Sequence, residues 1–145
     1  MSPFRKSPSQ RPKLQRLVPR PWDPPESEFP AIVPIDTLPF GRSDQAAIAI
    51  IGIWAYTGGF EIFIARRIRP DIPGLDEDPT PRGGGGTTHS QFFRWWAWPL
   101  PPRGALEFVC QWPMYGIAET RVGVDAQLIL DAAQRAVRLW PAVEG

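Results

Sequence analysis

At 145 residues the chain is long enough for one domain with a modest core, and its net charge of +1, 43% hydrophobic and 21% charged residues are ordinary for a globular protein. A single cysteine excludes an internal disulfide framework, and the longest apolar run, residues 46–56, falls far short of the roughly 20 residues a membrane helix needs. Nineteen Pro and thirteen Gly break the backbone into short segments, which favours β structure over a helical bundle.

Residues 1–30 are expected to be a disordered, basic, Pro-rich tail with few apolar side chains to bury. Arg5, Lys6, Arg11, Lys13, Arg16 and Arg20 stand there without any acid up to residue 20. Residues 21–145 hold ten basic and fifteen acidic residues, a balance of −5. The tail's charge could meet a nucleic acid, although such runs usually just solvate. No apolar signal segment follows it, so a cytoplasmic setting is expected.

Residues 31–145 are expected to form a single β-rich domain. The segment 32–40 contains Pro34 and Pro39, which confine it to a sheet edge. Residues 45–69 predict a hairpin closed by a two-residue Gly58-Gly59 turn with positive φ at both positions. That closure sets Trp54 opposite Phe63, Ile53 opposite Ile64 and Ile51 opposite Arg66. Ala49, Ile51, Ile53, Ala55, Ile62, Ile64 and Ile68 then share a core face. Ile50, Gly52, Trp54, Tyr56, Glu61, Phe63, Arg67 and Arg69 share a mixed one.

Residues 70–90 predict a long surface loop. Its glycines lack the phosphate-binding pattern, and Asp71, Asp76, Glu77 and Asp78 match no calcium loop. Residues 91–112 predict a second hairpin around the Pro-rich segment 99–104. Setting Ala97 opposite Leu106 and Trp95 opposite Phe108 gathers Phe93, Trp95, Ala97, Leu106, Phe108, Cys110 and Trp112 on an apolar face. Arg94 and Glu107 then lie diagonally on the reverse face, with Trp96 beside them. Residues 117–124 predict a further strand. Asp125 caps a helix over 126–140, where only a narrow stripe is polar, Asp131 and Arg135 pair, and Trp140 joins the core.

No catalytic constellation emerges. The one histidine, His89, lies in a loop, and Cys110 falls on an apolar face. One Cys and one His do not make a zinc site, and no metal or cofactor is expected. Trp96 and Trp98 are the candidate binding residues, with Arg94 beside them; they are assigned to one face of one strand, as a stacking platform or as packing under the helix.

Trp98-Pro-Leu-Pro-Pro-Arg-Gly, Phe108-Val-Cys-Gln-Trp-Pro, Gly116-Ile-Ala-Glu-Thr-Arg and the Asp125 helix together resemble a group of short actinobacterial proteins. The resemblance spans roughly residues 33–140. It implies a bacterial cytoplasmic protein and carries over no activity, cofactor or site residue.

The expected fold is mainly β: five to six antiparallel strands in a small sandwich or curved sheet, with one C-terminal helix packed on it. The alternative is an α+β single sheet with the helix across one face. Three functions follow. The first is a non-catalytic module binding a protein partner, or a second copy through a sheet edge. The second is a small-molecule or carbohydrate binder built on Trp96 and Trp98, with converging acids in its pocket. The third is nucleic-acid association through the tail.

Overall fold

The structure is a computed structural model that describes residues 23–75 and 85–140. Its strands in chain order are β1 (Glu28–Phe29), β2 (Ala31–Ile32), β3 (Leu38–Arg42), β4 (Ala46–Ala55), β5 (Phe60–Ile68), β6 (Gly85–Thr87), β7 (Ser90–Ala97), β8 (Ala105–Trp112) and β9 (Ile117–Asp125). A helix, α1 (Ala126–Ala133), and a last strand, β10 (Val137–Arg138), complete them. The fold is mainly β, as the segment pattern implies: a curled antiparallel sheet carrying one C-terminal helix.

The six-stranded sheet runs β2-β4-β5-β7-β6, with β3 also on β4. β2 meets the Trp54–Ala55 end of β4, and β3 meets the Ala47–Ile50 end. They therefore form one edge, interrupted between them where Pro34 lacks an N–H. β8 and β9 form a separate hairpin, and β1 pairs with β10. Phe108, Cys110, Trp112, Ile117 and Val124 of the hairpin join Ile48, Ile50, Ile53, Ile62, Ile64, Phe93 and Trp95 of the sheet in one apolar core. Ile129, Ala132 and Ala133 add the apolar stripe of α1 to it. Hairpin and helix thus cover the same face of the sheet, and its other face looks outward.

The first hairpin differs from the expected register. Ala55 pairs with Phe60, Trp54 with Glu61 and Ile53 with Ile62, so the connection is the four residues 56–59. Tyr56 N–H donates to Gly59 O at 2.8 Å. Neither Gly58 nor Gly59 has positive φ, so no primed two-residue turn forms. The ladder then slips between Ile50 and Gly52, leaving Ile51 as a bulge. One extra residue reverses the alternation. Ile48 and Ile50 face inward before the bulge and Ile53 and Ala55 after it, while Ile51, expected in the core, is 49% exposed.

The second expected hairpin does not form. β7 lies between β5 and β6, and β8 pairs with β9. The second edge of β5 is taken by β7, and β8 finds its partner in β9. The segment after β7, with a cis Trp98–Pro99 bond and three prolines, carries the chain to the other layer. Which residues face the core is nevertheless as expected for Phe93, Trp95, Phe108, Cys110 and Trp112. A two-residue period fixes the face of a strand but not its partner. Arg94 and Glu107 accordingly do not pair: Glu107 binds Arg121 Nη1 at 2.9 Å. Part of the expected 70–90 loop is strand, since β6 and β7 close a tight hairpin at Thr88-His89.

Asp125 caps α1 as expected, its carboxylate accepting from Gln127 N–H at 2.9 Å. The helix ends at Ala133, not at 140. Residues 137–138 are drawn into the β1 pairing, Phe29 opposite Val137, and Leu139 N–H donates to Ser27 O at 2.9 Å. Trp140 is consequently 64% exposed rather than in the core. The expected tail shortens too, because Glu28 and Phe29 form strand; residues 1–22 lie outside the described residues.

Candidate functional site

The strand registers define what the outer face of the sheet presents. The row Ile32, Trp54, Glu61, Trp96 crosses β2, β4, β5 and β7. Gly52, Phe63 and Arg94 form the next row, and Ala49, Ala65 and Phe92 the one beyond. Arg42, Ala47, Arg67 and Ser90 close the far end. Four large apolar side chains of this face are exposed: Ile32 at 68%, Ile51 at 49%, Phe92 at 44% and Trp54 at 37%. Natural surfaces rarely gather such side chains contiguously without using them. The Trp54 and Phe63 rings meet edge-on with centroids 4.6 Å apart.

Within this face one carboxylate is buried. Tyr56 O–H donates to Glu61 Oε1 at 3.3 Å, and Arg94 Nε stands 3.7 Å from Oε2. Burial pushes the Glu61 carboxyl above the ordinary carboxylate range, against the opposing pull of Arg94 and the Tyr56 hydrogen bond. Tyr56 is pushed up to about 12, first by burial and then by the charge of Glu61. A raised carboxyl beside a phenol and a guanidinium is the kind of arrangement active sites use. Here Glu61 is only 3% exposed, between Trp54 and Trp96 in its row. Its neighbours explain it as an ion pair supporting the face.

The three residues singled out from sequence separate. Trp96 is half-buried, its ring edge-on to Tyr56 at 5.5 Å and against Gly59. Arg94 is exposed and serves Glu61. Trp98 lies beyond the end of β7 and is 48% exposed, so it does not share a strand face with Trp96. Trp96 lies on the outer face of the sheet, opposite to the face α1 covers. Ile32, Ile51 and Phe92 were not singled out; pairing order and the Ile51 bulge are what bring them together.

The remaining reactive groups are engaged. His89 Nε2 donates to Ile72 O at 2.7 Å, and its Nδ1 is hydrogen-bonded to Thr88 Oγ1 at 3.0 Å. Cys110 is buried beside Thr120 Oγ1 at 3.5 Å, and burial pushes its thiol up. The two do not form a catalytic pair. No group of three or more His, Cys, Asp or Glu side chains among the described residues could hold a metal. No helix among them is long and apolar enough to cross a membrane.

A cleft of about 710 Å³ opens elsewhere, lined by Thr57, Leu100, Arg103, Gln127, Leu130, Ala133, Gln134, Ala136 and Arg138. It holds neither Trp96 nor Trp98, and arginines rather than converging acids. The basic residues on which nucleic-acid binding would rest, Arg5, Lys6, Arg11, Lys13, Arg16 and Arg20, lie outside the described residues. Comparison of the chain with protein-family models, curated proteins and solved structures gives no match.

Proposed function

We propose that the protein is a non-catalytic interaction module of the bacterial cytoplasm that docks a protein partner on the outer face of its sheet. The observation that carries this reading is the exposure of Ile32, Ile51, Trp54 and Phe92 on one face, with the core, the hairpin and the helix all on the other. Arg42, Arg67 and Arg94 border that apolar band, and neither Arg42 nor Arg67 forms an ion pair among the described residues. Among the described residues, the paired rows of this face hold one carboxylate, Glu61, and it is buried. Its complement is therefore a partner surface of apolar side chains flanked by acids. A second copy offers no exposed acid among the described residues of this face. The sheet edges support self-association less, being short at β6 and interrupted between β2 and β3. The buried free Cys110 and the resemblance to actinobacterial proteins support the bacterial cytoplasmic setting.

The test is peptide-display selection against the full chain. Selected peptides should combine Leu, Ile or aromatic residues with Asp or Glu. Their affinity should fall about tenfold or more in I51D/F92D and in R42E/R67E. Basic peptides, or peptides that bind both variants equally, would sink the reading. So would a stable dimer in sedimentation that I51D/F92D dissolves.

A further inference from the structure

The cleft is independent of the outer face. One wall is α1 with Leu130 and Gln134, another is the Pro-rich segment with Leu100 and Arg103, and Arg138 of β10 and Thr57 complete it. Its size of about 710 Å³ suits a small organic molecule. Half-buried Leu100 and Leu130 make apolar walls, and Arg103 and Arg138 stand exposed at the rim.

The charged side chains lining the cleft are Arg103 and Arg138. Neither arginine belongs to any ion pair among the described residues. Glu28, opposite Arg138 in the β1–β10 pair, accepts from Thr57 N–H and from Thr57 O–H, and Asp131 accepts from the Gln127 amide at 2.8 Å, so both carboxylates are aimed away from the two arginines. The carbonyl end of α1, which would repel an anion, is capped by its own chain. Gln134, Arg135 and Ala136 N–H groups donate to the carbonyls of Leu130, Asp131, Ala132 and Ala133. Two guanidinium groups without an ion pair among the described residues, over leucine walls, fit a ligand with an anionic head and an apolar body.

We infer that this cleft binds a small amphiphilic anion, a carboxylate or phosphate ester with a short hydrocarbon body, whose head is held between Arg103 and Arg138 and whose body lies on Leu100 and Leu130.

The probes are octanoate and octyl phosphate, with octanol and octylamine as uncharged and cationic controls, titrated into the full chain and followed by amide NMR shifts. Either anion should move the amides of Leu100, Arg103, Leu130 and Gln134, more weakly as salt rises. Tighter octyl phosphate marks a phosphate ester, and tighter octanoate a carboxylic acid. R103Q/R138Q, at exposed positions that leave the core intact, should weaken binding by about tenfold for each arginine lost. R103K/R138K should retain salt-dependent binding. Equal binding of octanol, unchanged affinity of R103Q/R138Q, or shifts confined to the outer sheet face would overturn the inference.

Discussion

The guanidinium carbon of Arg66 lies 4.2 Å from the centroid of the Trp112 ring and 4.8 Å from that of Phe93, inside the core. Arg66 is 7% exposed, and its Nε donates to Gln91 Oε1 at 3.2 Å. It forms no ion pair among the described residues. Aromatic faces thus replace the usual carboxylate around this cation, while burial lowers its pKa. A buried charge of this kind is weakly stabilising, and an apolar side chain of similar length can substitute for it. Arg66→Met is expected to retain more stability than Arg66→Ala by about 2 kcal/mol, because only alanine leaves a void against Trp112. Trp112→Ala should cost about 3–5 kcal/mol. Urea unfolding measures all three. If the methionine variant is as unstable as the alanine variant, the charge itself is required.

The buried Glu61 makes stability depend on pH in a direction opposite to that of most carboxylates. Its folded pKa lies above the unfolded one, so the native state binds the proton more tightly. The stabilisation is fully present below the ordinary carboxylate pKa and is lost as pH rises through the raised folded value. Glu61→Gln removes this dependence. The stability of the natural protein relative to E61Q should therefore be greater at pH 4 than at pH 7. Tyr56 behaves likewise at alkaline pH: its contribution disappears between its ordinary pKa of 10 and about 12, and Tyr56→Phe should flatten the stability curve there. Thermal unfolding across pH tests both; an E61Q difference that grows toward neutral pH would contradict the sign.

Most of this fold was legible where it depends on periodicity. Phe93, Trp95, Phe108, Cys110 and Trp112 alternate correctly whatever they pair with, and Asp125 is a cap in any context. What depends on distant partners was not legible. β7 takes the open edge of β5 instead of β8, a choice made between strands that local turns do not connect. The helix stops at Ala133 because β1 competes for residues 137–138, although the apolar pattern continues to Trp140. Trp96 and Arg94 were found by their residue type. Ile32, Ile51 and Phe92 became visible only with the pairing order and the bulge.

That bulge can be measured. Strict alternation puts Ile51 in the core and Ile50 outside, whereas the structure has Ile50 at 0% exposure and Ile51 at 49%. Ile50→Ala should therefore cost about 2–5 kcal/mol. Ile51→Ala should cost about 1 kcal/mol or less. Chemical denaturation of the two variants distinguishes the registers. Equal costs, or a larger cost at Ile51, would mean that β4 is unbulged.

Adjacent glycines in the β4–β5 connection give an equally sharp contrast. A Cβ on Gly58 would meet nothing within 4 Å. A Cβ on Gly59 would come within 2.5 Å of Trp96 Cη2 and 2.6 Å of Ala97 O. The Trp96 ring and the end of β7 therefore lie directly on Gly59. Gly58→Ala should be neutral or stabilising by up to about 1 kcal/mol, since it restricts the unfolded chain without a native clash. Gly59→Ala should cost about 1–3 kcal/mol as overpacking. Removing the ring in G59A/W96A should restore only part of this, because the Ala97 carbonyl belongs to the backbone and stays. Full recovery in the double variant would show that the ring alone sets the requirement for glycine. Equal tolerance of alanine at both positions would mean that Trp96 does not rest on the turn.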